Sequence, residues 1–209
     1  MKRLFSLLLT SLLAVGNLSA QTDTKSTTLV APANGKDFLL NYYQQTFDAL
    51  QKSVEGLSEA QLNFKPAADR WSISQCLEHI VLTEQMIFDF AKKGMEAPAN
   101  PERKKDVKMK DEDVIKGVTD RSFKAKAPES IVLKGKYLDA NAALTDLQNN
   151  RKTVLEYIDN VSVDDLRNHI GDSPMGPVDS YQSLLFLAGH TSRHTAQIDE
   201  VKADVNFPK

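Results

Sequence analysis

The sequence Tyr181-Gln-Ser-Leu-Leu-Phe-Leu-Ala-Gly-His190-Thr-Ser-Arg-His194-Thr-Ala-Gln-Ile-Asp-Glu-Val201 predicts one helix that carries two histidines four residues apart. Four-residue spacing places the two imidazoles one above the other on a single helix face. An apolar stripe runs beside and through the histidine row, at Leu184, Leu187, Thr191, Ile198 and Val201. We therefore expect both imidazoles to point inward, where two of them at this spacing can chelate one divalent cation.

Three further segments repeat apolar residues with the period of a helix, and together with the histidine helix they predict an all-α fold. In chain order, the predicted helices cover residues 37–54, a segment from Ser72 or Ser74 to Lys93, and residues 137–158, and the histidine helix opens at Asp179 or Ser180. Four long helices with a long crossover between helices 2 and 3 predict a four-helix bundle.

The connections between these helices are polar and rich in turn-forming residues. Gly94 is predicted to lie just beyond the end of helix 2, and residues 95–110 are predicted to form a solvated crossover. Residues 171–177 are predicted to form a loop rich in turns. No alternating strand pattern of useful length occurs, so no sheet is expected.

The first twenty residues have the three parts of a secretory signal peptide. Lys2 and Arg3 form a positive start, residues 4–15 an apolar core, and Leu18-Ser19-Ala20 an ending of small residues. An apolar core of this length is too short to span a bilayer comfortably, so we expect cleavage near Ala20 and no stable membrane insertion afterwards. The predicted product is exported, either periplasmic or secreted. The predicted domain order is a signal peptide at 1–20, a flexible leader at 21–36 and a helical bundle domain at 37–205.

Charge and cysteine content exclude some classes of protein. The chain has 26 Lys and Arg against 28 Asp and Glu, and loss of Lys2 and Arg3 with the signal peptide changes the net charge from -2 to about -4. This balance suits solubility and argues against a nucleic-acid partner. Cys76 is the only cysteine, so no internal disulfide can form.

The remaining ligands of a metal site have to come from other helices. His79 lies at the edge of the apolar stripe of helix 2, and helix packing could bring it against His190 and His194. His169 belongs to a polar run before a turn and is expected to be exposed. Three histidines with an open position for water are typical of a catalytic metal site. Thr-Ser-Arg stands between His190 and His194, so the glutamate base of a zincin-type protease is missing.

Other side chains near the histidines have both functional and structural interpretations. Cys76 is a candidate fourth ligand or nucleophile, although a small buried hydrophobe is the interpretation we favour. Gln197 is a candidate for orienting an imidazole through a hydrogen bond. Glu78 and Glu84 are candidates for a general base or for a hydrogen-bond partner of a metal ligand, although the interpretation we favour is that they face solvent, as most helix glutamates do.

Two larger side chains are expected to have structural roles. Arg193 is predicted to lie on the face opposite the ligands, as a surface or interhelix salt-bridge residue. Trp71 is predicted to be a packing anchor at the mouth of the bundle rather than a platform for a substrate.

Three motifs in order resemble the DinB-like superfamily of metal-binding four-helix bundles. They are Trp-Ser-x-x-Gln-Cys-Leu-Glu-His at 71–79, Pro-x-Gly at 174–176 and His-x-x-x-His-x-x-Gln-Ile at 190–198. The resemblance covers about residues 37–202 and extends to the bacillithiol transferases and the mycothiol-dependent maleylpyruvate isomerases. By matching position it implies His79, His190 and His194 as ligands of one divalent metal, usually zinc or nickel. It also implies a possible homodimer, because members of the family are often dimers.

The family's thiol transferases use cytosolic thiols, whereas this chain is predicted to be exported. Two activities therefore remain open, metal-dependent hydrolysis and thiol transfer, each on a small-molecule substrate that the sequence does not identify. In either case a metal-bound water or thiol at the open position would be the nucleophile, and Cys76 and Gln197 are only weak candidates for a catalytic role. The alternative is a non-catalytic bundle that binds a metal or a small molecule in the cell envelope.

Overall fold

The computed structural model describes residues 35–123 and 131–209. The predicted signal peptide and all but the last two residues of the predicted leader lie outside the described residues. The described helices are α1 (Lys36–Val54), α2 (Glu59–Asn63), α3 (Ile73–Glu96), a 3-10 helix (Pro101–Asp106), α4 (Asp111–Thr119), α5 (Ala140–Asn160), α6 (Val163–Asn168) and α7 (Ser180–Lys202). Two short strands, β1 (Ile170–Ser173) and β2 (Gly176–Asp179), lie between α6 and α7.

Helix α3 has Ser72 as its N-cap, which is one of the two predicted starts, and it ends later than predicted. The Ser72 hydroxyl accepts a hydrogen bond from the Gln75 amide at 3.2 Å, and the Gln75 side chain accepts one from the Ser72 amide at 3.1 Å. The expected end at Lys93 is wrong, because the helix continues through Gly94 to Glu96. Pro98 then disfavours helical backbone at the preceding residue, and Ala97 is extended at ψ 155°.

Helix α5 begins at Ala140, three residues later than predicted. Tyr137 fits the apolar period, but its backbone is held by another helix: its amide donates to Ser74 Oγ at 3.0 Å, and its carbonyl accepts from that hydroxyl at 2.7 Å. The Asp139 side chain then caps the helix by accepting from the Asn141 amide. A tertiary contact therefore shortens this helix.

The turn-rich loop predicted at 171–177 is instead an antiparallel β-hairpin. Ile170 pairs with Asp179, and Ser173 pairs with Gly176, which has φ 103° and so occupies a region that favours glycine. The strands are four residues long and have no strict alternation of apolar and polar residues, so the sequence pattern gave no strand signal. The fold remains all-α apart from this hairpin.

The four long helices α1, α3, α5 and α7 pack around a shared core that contains a buried ion pair. Arg151 on α5 donates to Glu84 on α3 at 3.0 Å, to the Tyr43 carbonyl on α1 at 2.6 Å and to the Thr191 hydroxyl on α7 at 2.8 Å. The Arg151 guanidinium thus joins its own helix, α5, to the three other long helices of the bundle. The described residues contain no helix long and apolar enough to cross a membrane.

The expectation that the two glutamates of α3 face solvent is wrong. Glu84 is 1% exposed because it pairs with Arg151. Glu78 is 5% exposed because the segment 131–137 crosses over it, and its carboxylate accepts from the amides of Lys134 and Gly135 at 2.8 and 2.7 Å. Each carboxylate is compensated by donors from a part of the chain more than fifty residues away.

Candidate metal centre

Helices α3 and α7 bring His79, His190 and His194 together. The ring centroid of His79 lies 5.1 Å from that of His190 and 4.4 Å from that of His194. One nitrogen from each ring can be chosen so that all three atoms lie within 4.8 Å of one another. The three rings, called the histidine tripod below, can therefore offer three ligand atoms to one point.

The inner nitrogens of the two α7 histidines face each other. His190 Nε2 and His194 Nε2 are 3.2 Å apart. Two nitrogens that share one zinc-sized ion at about 2.0–2.1 Å are separated by about this distance in tetrahedral or octahedral geometry. The separation is thus suited to chelation of one ion by both rings.

The outer nitrogen of His194 is held by a chain of three side chains. His194 Nδ1 is 2.9 Å from Gln197 Oε1, which also accepts from Arg121 at 3.4 Å. Arg121 donates twice to Glu200, at 2.9 Å each. Because arginine can only donate, it holds the Gln197 oxygen, rather than its NH2 group, towards both partners. The Gln197 oxygen then favours a proton on His194 Nδ1 and leaves Nε2 free to bind a metal.

A similar argument assigns the proton of His190. The Thr83 hydroxyl donates to the His79 carbonyl at 2.6 Å, and its oxygen lies 3.4 Å from His190 Nδ1. Since the single hydroxyl proton is used in the first bond, the oxygen is available to accept from His190 Nδ1–H. Both α7 histidines then direct the lone pairs of Nε2 towards each other, an arrangement that a cation between them would stabilise.

Burial keeps all three imidazoles neutral, which is the form that binds a metal. Desolvation lowers the pKa of His79 to about 4. Desolvation, with smaller contributions from His79 and Arg193, lowers the pKa of His190 to about 3. The pKa of His194 is also lowered, first by desolvation and then by the two neighbouring histidines.

His79 and Trp71 form one wall of the tripod. His79 Nδ1 is buried and has no hydrogen-bond partner among the described residues, so this polar atom is uncompensated by the protein alone. The Trp71 ring centroid lies 4.9 Å from that of His79 and 5.9 Å from that of His194. Trp71 therefore packs directly on two of the candidate ligands. Together with the neutral rings and facing Nε2 atoms, the unpaired His79 nitrogen fits a bound divalent cation.

The other residues considered from the sequence lie outside the tripod. Cys76 is buried, and desolvation raises the pKa of its thiol to about 12, so it is a poor nucleophile. His169 is half-buried near the hairpin, and its Nδ1 contacts the Asp165 carbonyl at 2.7 Å. The group of possible ligands found in the described part of the chain contains neither residue.

Arg193 differs from its predicted role. It is buried, and its guanidinium donates to the backbone carbonyls of Val118, Asp120 and Phe123 instead of forming a salt bridge across the described surface. These bonds attach the end of α4 to α7. The same segment carries Arg121, which sequence reasoning missed because it lies 76 residues from Gln197 and no local pattern marks it.

These observations define a class of protein: an all-α four-helix bundle in which two helices contribute a cluster of three histidines. The chain belongs to the DinB superfamily, whose family model matches residues 42–198. The membership predicted from the three sequence motifs is thereby confirmed.

Two proteins of Bacillus subtilis illustrate the relationship. YuaE of strain 168, an uncharacterized protein, is 25% identical over 154 residues, which cover 73% of this chain and 90% of YuaE. The structure of YfiT has a TM-score of 0.59 at 15% identity, covering 87% of this chain and 93% of that chain. YfiT is described as a probable metal-dependent hydrolase with an unusual four-helix bundle topology. At 15% identity, the structural similarity to YfiT supports the fold alone, and the four-helix bundle of YfiT agrees with the bundle predicted from the sequence.

Proposed function

We propose that the protein binds one divalent metal ion, zinc or nickel, through His79, His190 and His194 and acts as a metal-dependent hydrolase. The facing Nε2 atoms of His190 and His194, 3.2 Å apart, carry this proposal. The description of YfiT as a probable metal-dependent hydrolase supports the choice of reaction class. When bound, such an ion supplies Lewis acidity at its open coordination positions.

The protein's own groups would hold the ligands in place and limit access of water. Gln197 and Thr83 orient the outer nitrogens of the α7 histidines, and Trp71 covers one side of the tripod. The buried carboxylates of α3 are engaged by structural partners, Glu78 by backbone amides and Glu84 by Arg151. We therefore assign no general base to either glutamate.

A metal-binding bundle without catalytic activity is the second candidate function. The engagement of both α3 carboxylates favours it, because a hydrolase often uses a carboxylate to move protons. Thiol transfer is a further possible use of the same open coordination position. It would have to employ a thiol present in the compartment of the protein, since Cys76 is buried with a raised pKa.

Metal analysis of the purified protein tests the site. After reconstitution at neutral pH, where the imidazoles are neutral, we expect close to one equivalent of zinc or nickel; less than about 0.3 equivalents would refute the site. His190→Ala should lose the metal while keeping its helical circular dichroism. His169→Ala is the matched control, because this histidine lies outside the tripod, and it should retain the metal.

Turnover assays separate an enzyme from a binder. The metal-loaded protein should be tested on a panel of esters, amides and thiol acceptors. Turnover that requires the metal and disappears in His194→Ala would support a metal-dependent enzyme. If no substrate of the panel turns over although the metal is bound, the non-catalytic alternative is favoured.

We further propose that the protein is exported and acts outside the cytosol on a small molecule. The charged start, apolar core and small-residue ending of residues 1–20 support this proposal. Expression in a bacterial host followed by fractionation should place the protein in the periplasm or medium, with a mature chain that begins near Gln21. Retention of residues 1–20 on a cytosolic protein would contradict it.

A further inference from the structure

A second recess lies between α3, α7 and the β-hairpin. It is a cavity of about 280 Å³, lined by apolar side chains such as Phe90, Ile170 and Val178 and, at other positions, by polar ones that include Lys93, His169 and Asp172. Its size approaches that of small-molecule sites in proteins. None of the groups assigned to the metal centre lines it.

Helix geometry places this cavity on the same side of the bundle as the tripod. Phe90 follows His79 on α3 by eleven residues, which is three turns and about 16 Å along one helix face. Ser183, which also lines the cavity, precedes His190 on α7 by seven residues, which is two turns and about 10 Å. The two helices run in opposite directions, so both measurements lead from the tripod towards the cavity.

Large apolar side chains lie on both helices between the tripod and the cavity. Met86 lies on the same face of α3 as His79 and Phe90, and Phe186 lies one turn before His190 on α7. The Phe186 ring centroid is 6.1 Å from that of His190, with the rings inclined by 28°. Leu82, Met86 and Phe90 recur every four residues on α3 and are 43%, 45% and 64% exposed. Contiguous large apolar side chains that are exposed on a protein surface often mark a binding site.

We propose that the ligand of this protein is a single-chain amphiphile whose polar head lies at the tripod and whose apolar chain crosses Met86 and Phe186 to end in the cavity. The position of the head rests on the proposed function, whereas the seating of the apolar chain requires no metal. The cavity receives one end of the apolar chain, and the distance of about 10–16 Å between cavity and tripod sets the length of chain that fits. For a hydrolase, the substrate class is then an ester or amide of a medium-length acyl chain.

Binding of primary alcohols from butanol to decanol to the metal-free protein tests the inference, with calorimetry as the measurement. Affinity should increase by up to about fourfold per buried methylene and level off once the chain exceeds the path. Trp71 is the only tryptophan of the chain and packs on the tripod, so its emission should change with the longer alcohols alone. Affinity that does not depend on chain length would overturn the proposal.

Two matched variants locate the apolar chain. Phe90→Asp should weaken decanol binding at least tenfold, because it replaces a large apolar side chain of the lining with a carboxylate. Leu138→Asp should leave the affinity unchanged, because Leu138 is 57% exposed but precedes α5 and does not line the cavity. Equal losses in both variants would overturn the assignment. The protein could instead bind no alcohol and form a homodimer that Phe90→Asp dissociates. That result would overturn the amphiphile proposal and identify this surface as an interface between copies of the chain.

The outcomes distinguish this inference from the proposed function. If alcohols bind with the expected dependence on chain length but the protein takes up no metal or hydrolyses no ester, the hydrolase proposal alone is refuted. If the metal-loaded protein hydrolyses acetyl, octanoyl and dodecanoyl esters with equal kcat/KM, the proposal of an amphiphilic ligand alone is refuted.

Discussion

At the scale of single residues, the position of one proton on His194 depends on a side chain that does not touch it. Gln197 could present either its oxygen or its NH2 group to His194 Nδ1, and these two orientations favour opposite tautomers. Arg121 contacts the Gln197 oxygen at 3.4 Å and is itself held by Glu200. Arg121 is therefore a positioning residue, and its effect on metal binding passes through the amide of Gln197.

Replacement of Arg121 by methionine should lower metal affinity about 10- to 100-fold, the range found when partners of metal-bound histidines are removed. Without arginine, the Gln197 amide can rotate and donate to His194 Nδ1, which moves the imidazole proton to Nε2. Competition with a chromophoric chelator measures the affinity. Nitrogen NMR of the metal-free protein measures the tautomer independently.

Arg70→Met is the control for this prediction. Arg70 also contacts Glu200, at 3.7 Å, but is not a hydrogen-bond partner of Gln197. The Arg70 variant should therefore keep both the tautomer and the affinity of the parent protein. An unchanged His194 tautomer in Arg121→Met would contradict the positioning role.

The lowered pKa values of the tripod make the stability of the metal-free protein depend on pH. In the unfolded chain each histidine takes up a proton below about pH 6.5. In the folded protein, burial keeps His79 and His190 neutral down to pKa values of about 4 and about 3. The unfolded state thus binds more protons, and the free energy of unfolding should fall as pH decreases below about 6.5, by at most about 1.4 kcal/mol per pH unit for each ring.

Urea unfolding between about pH 7 and pH 5 measures this loss, in a range where few carboxylates titrate. His190→Ala removes one of the rings with a lowered pKa, so the free energy of unfolding of this variant should change less with pH. His169→Ala should behave as the parent protein does. Identical pH slopes in the parent and His190→Ala would show that burial of this imidazole does not control acid stability.

At the scale of elements, a close approach of α4 to α7 supports the segment that carries Arg121. A Cβ atom added to Gly189 on α7 would collide with the Val118 side chain on α4 and would lie 3.1 Å from the Tyr42 hydroxyl. Gly189 immediately precedes the candidate ligand His190. The glycine is therefore required by packing, although glycine is unfavourable within a helix.

Gly189→Ala should lower the free energy of unfolding by about 1–3 kcal/mol, the usual range for overpacking. A loss of stability would be informative, because alanine is more favourable than glycine within a helix and would stabilise the protein if the added Cβ met no neighbour. Gly117→Ala on α4 is the matched control: an added Cβ there has no neighbour within 4 Å, so it should stabilise the protein by about 0.5–1 kcal/mol. Chemical denaturation measures both variants, and stabilisation by Gly189→Ala would contradict the close approach.

At the scale of the whole molecule, the tripod connects helices that are far apart in the chain. His79 and His190 are separated by more than one hundred residues, so the unfolded chain cannot present the three imidazoles at one point.

A metal that binds the folded state should stabilise it by about 4 kcal/mol at a free concentration one thousand times its Kd. Calorimetry should then show a rise in Tm of about 10 °C. His79→Ala should lose most of this rise, and an equal rise in that variant would place the metal elsewhere.

Sequence patterns within single helices were sufficient for much of the fold. The apolar period predicted four long helices, and each of the caps observed at Ser72 and Asp179 is one of two that the sequence offered. The ends were less predictable where another part of the chain intervenes, as at Tyr137, whose backbone is bonded to Ser74. The capping signals are local, whereas this contact exists only after two helices have packed.

The sequence by itself determined which residue types could bind a metal and that two of them, His190 and His194, share a helix face. This is information about neighbours along the chain, and helix geometry converts it directly into proximity. The tertiary structure alone brings His79 to the pair, buries Glu78 and Glu84 against distant partners and places Arg121 on Gln197. The same packing places the cavity at Phe90 two to three turns from the tripod. These contacts depend on how helices dock, and docking minimises the free energy of the whole core, which no local pattern encodes.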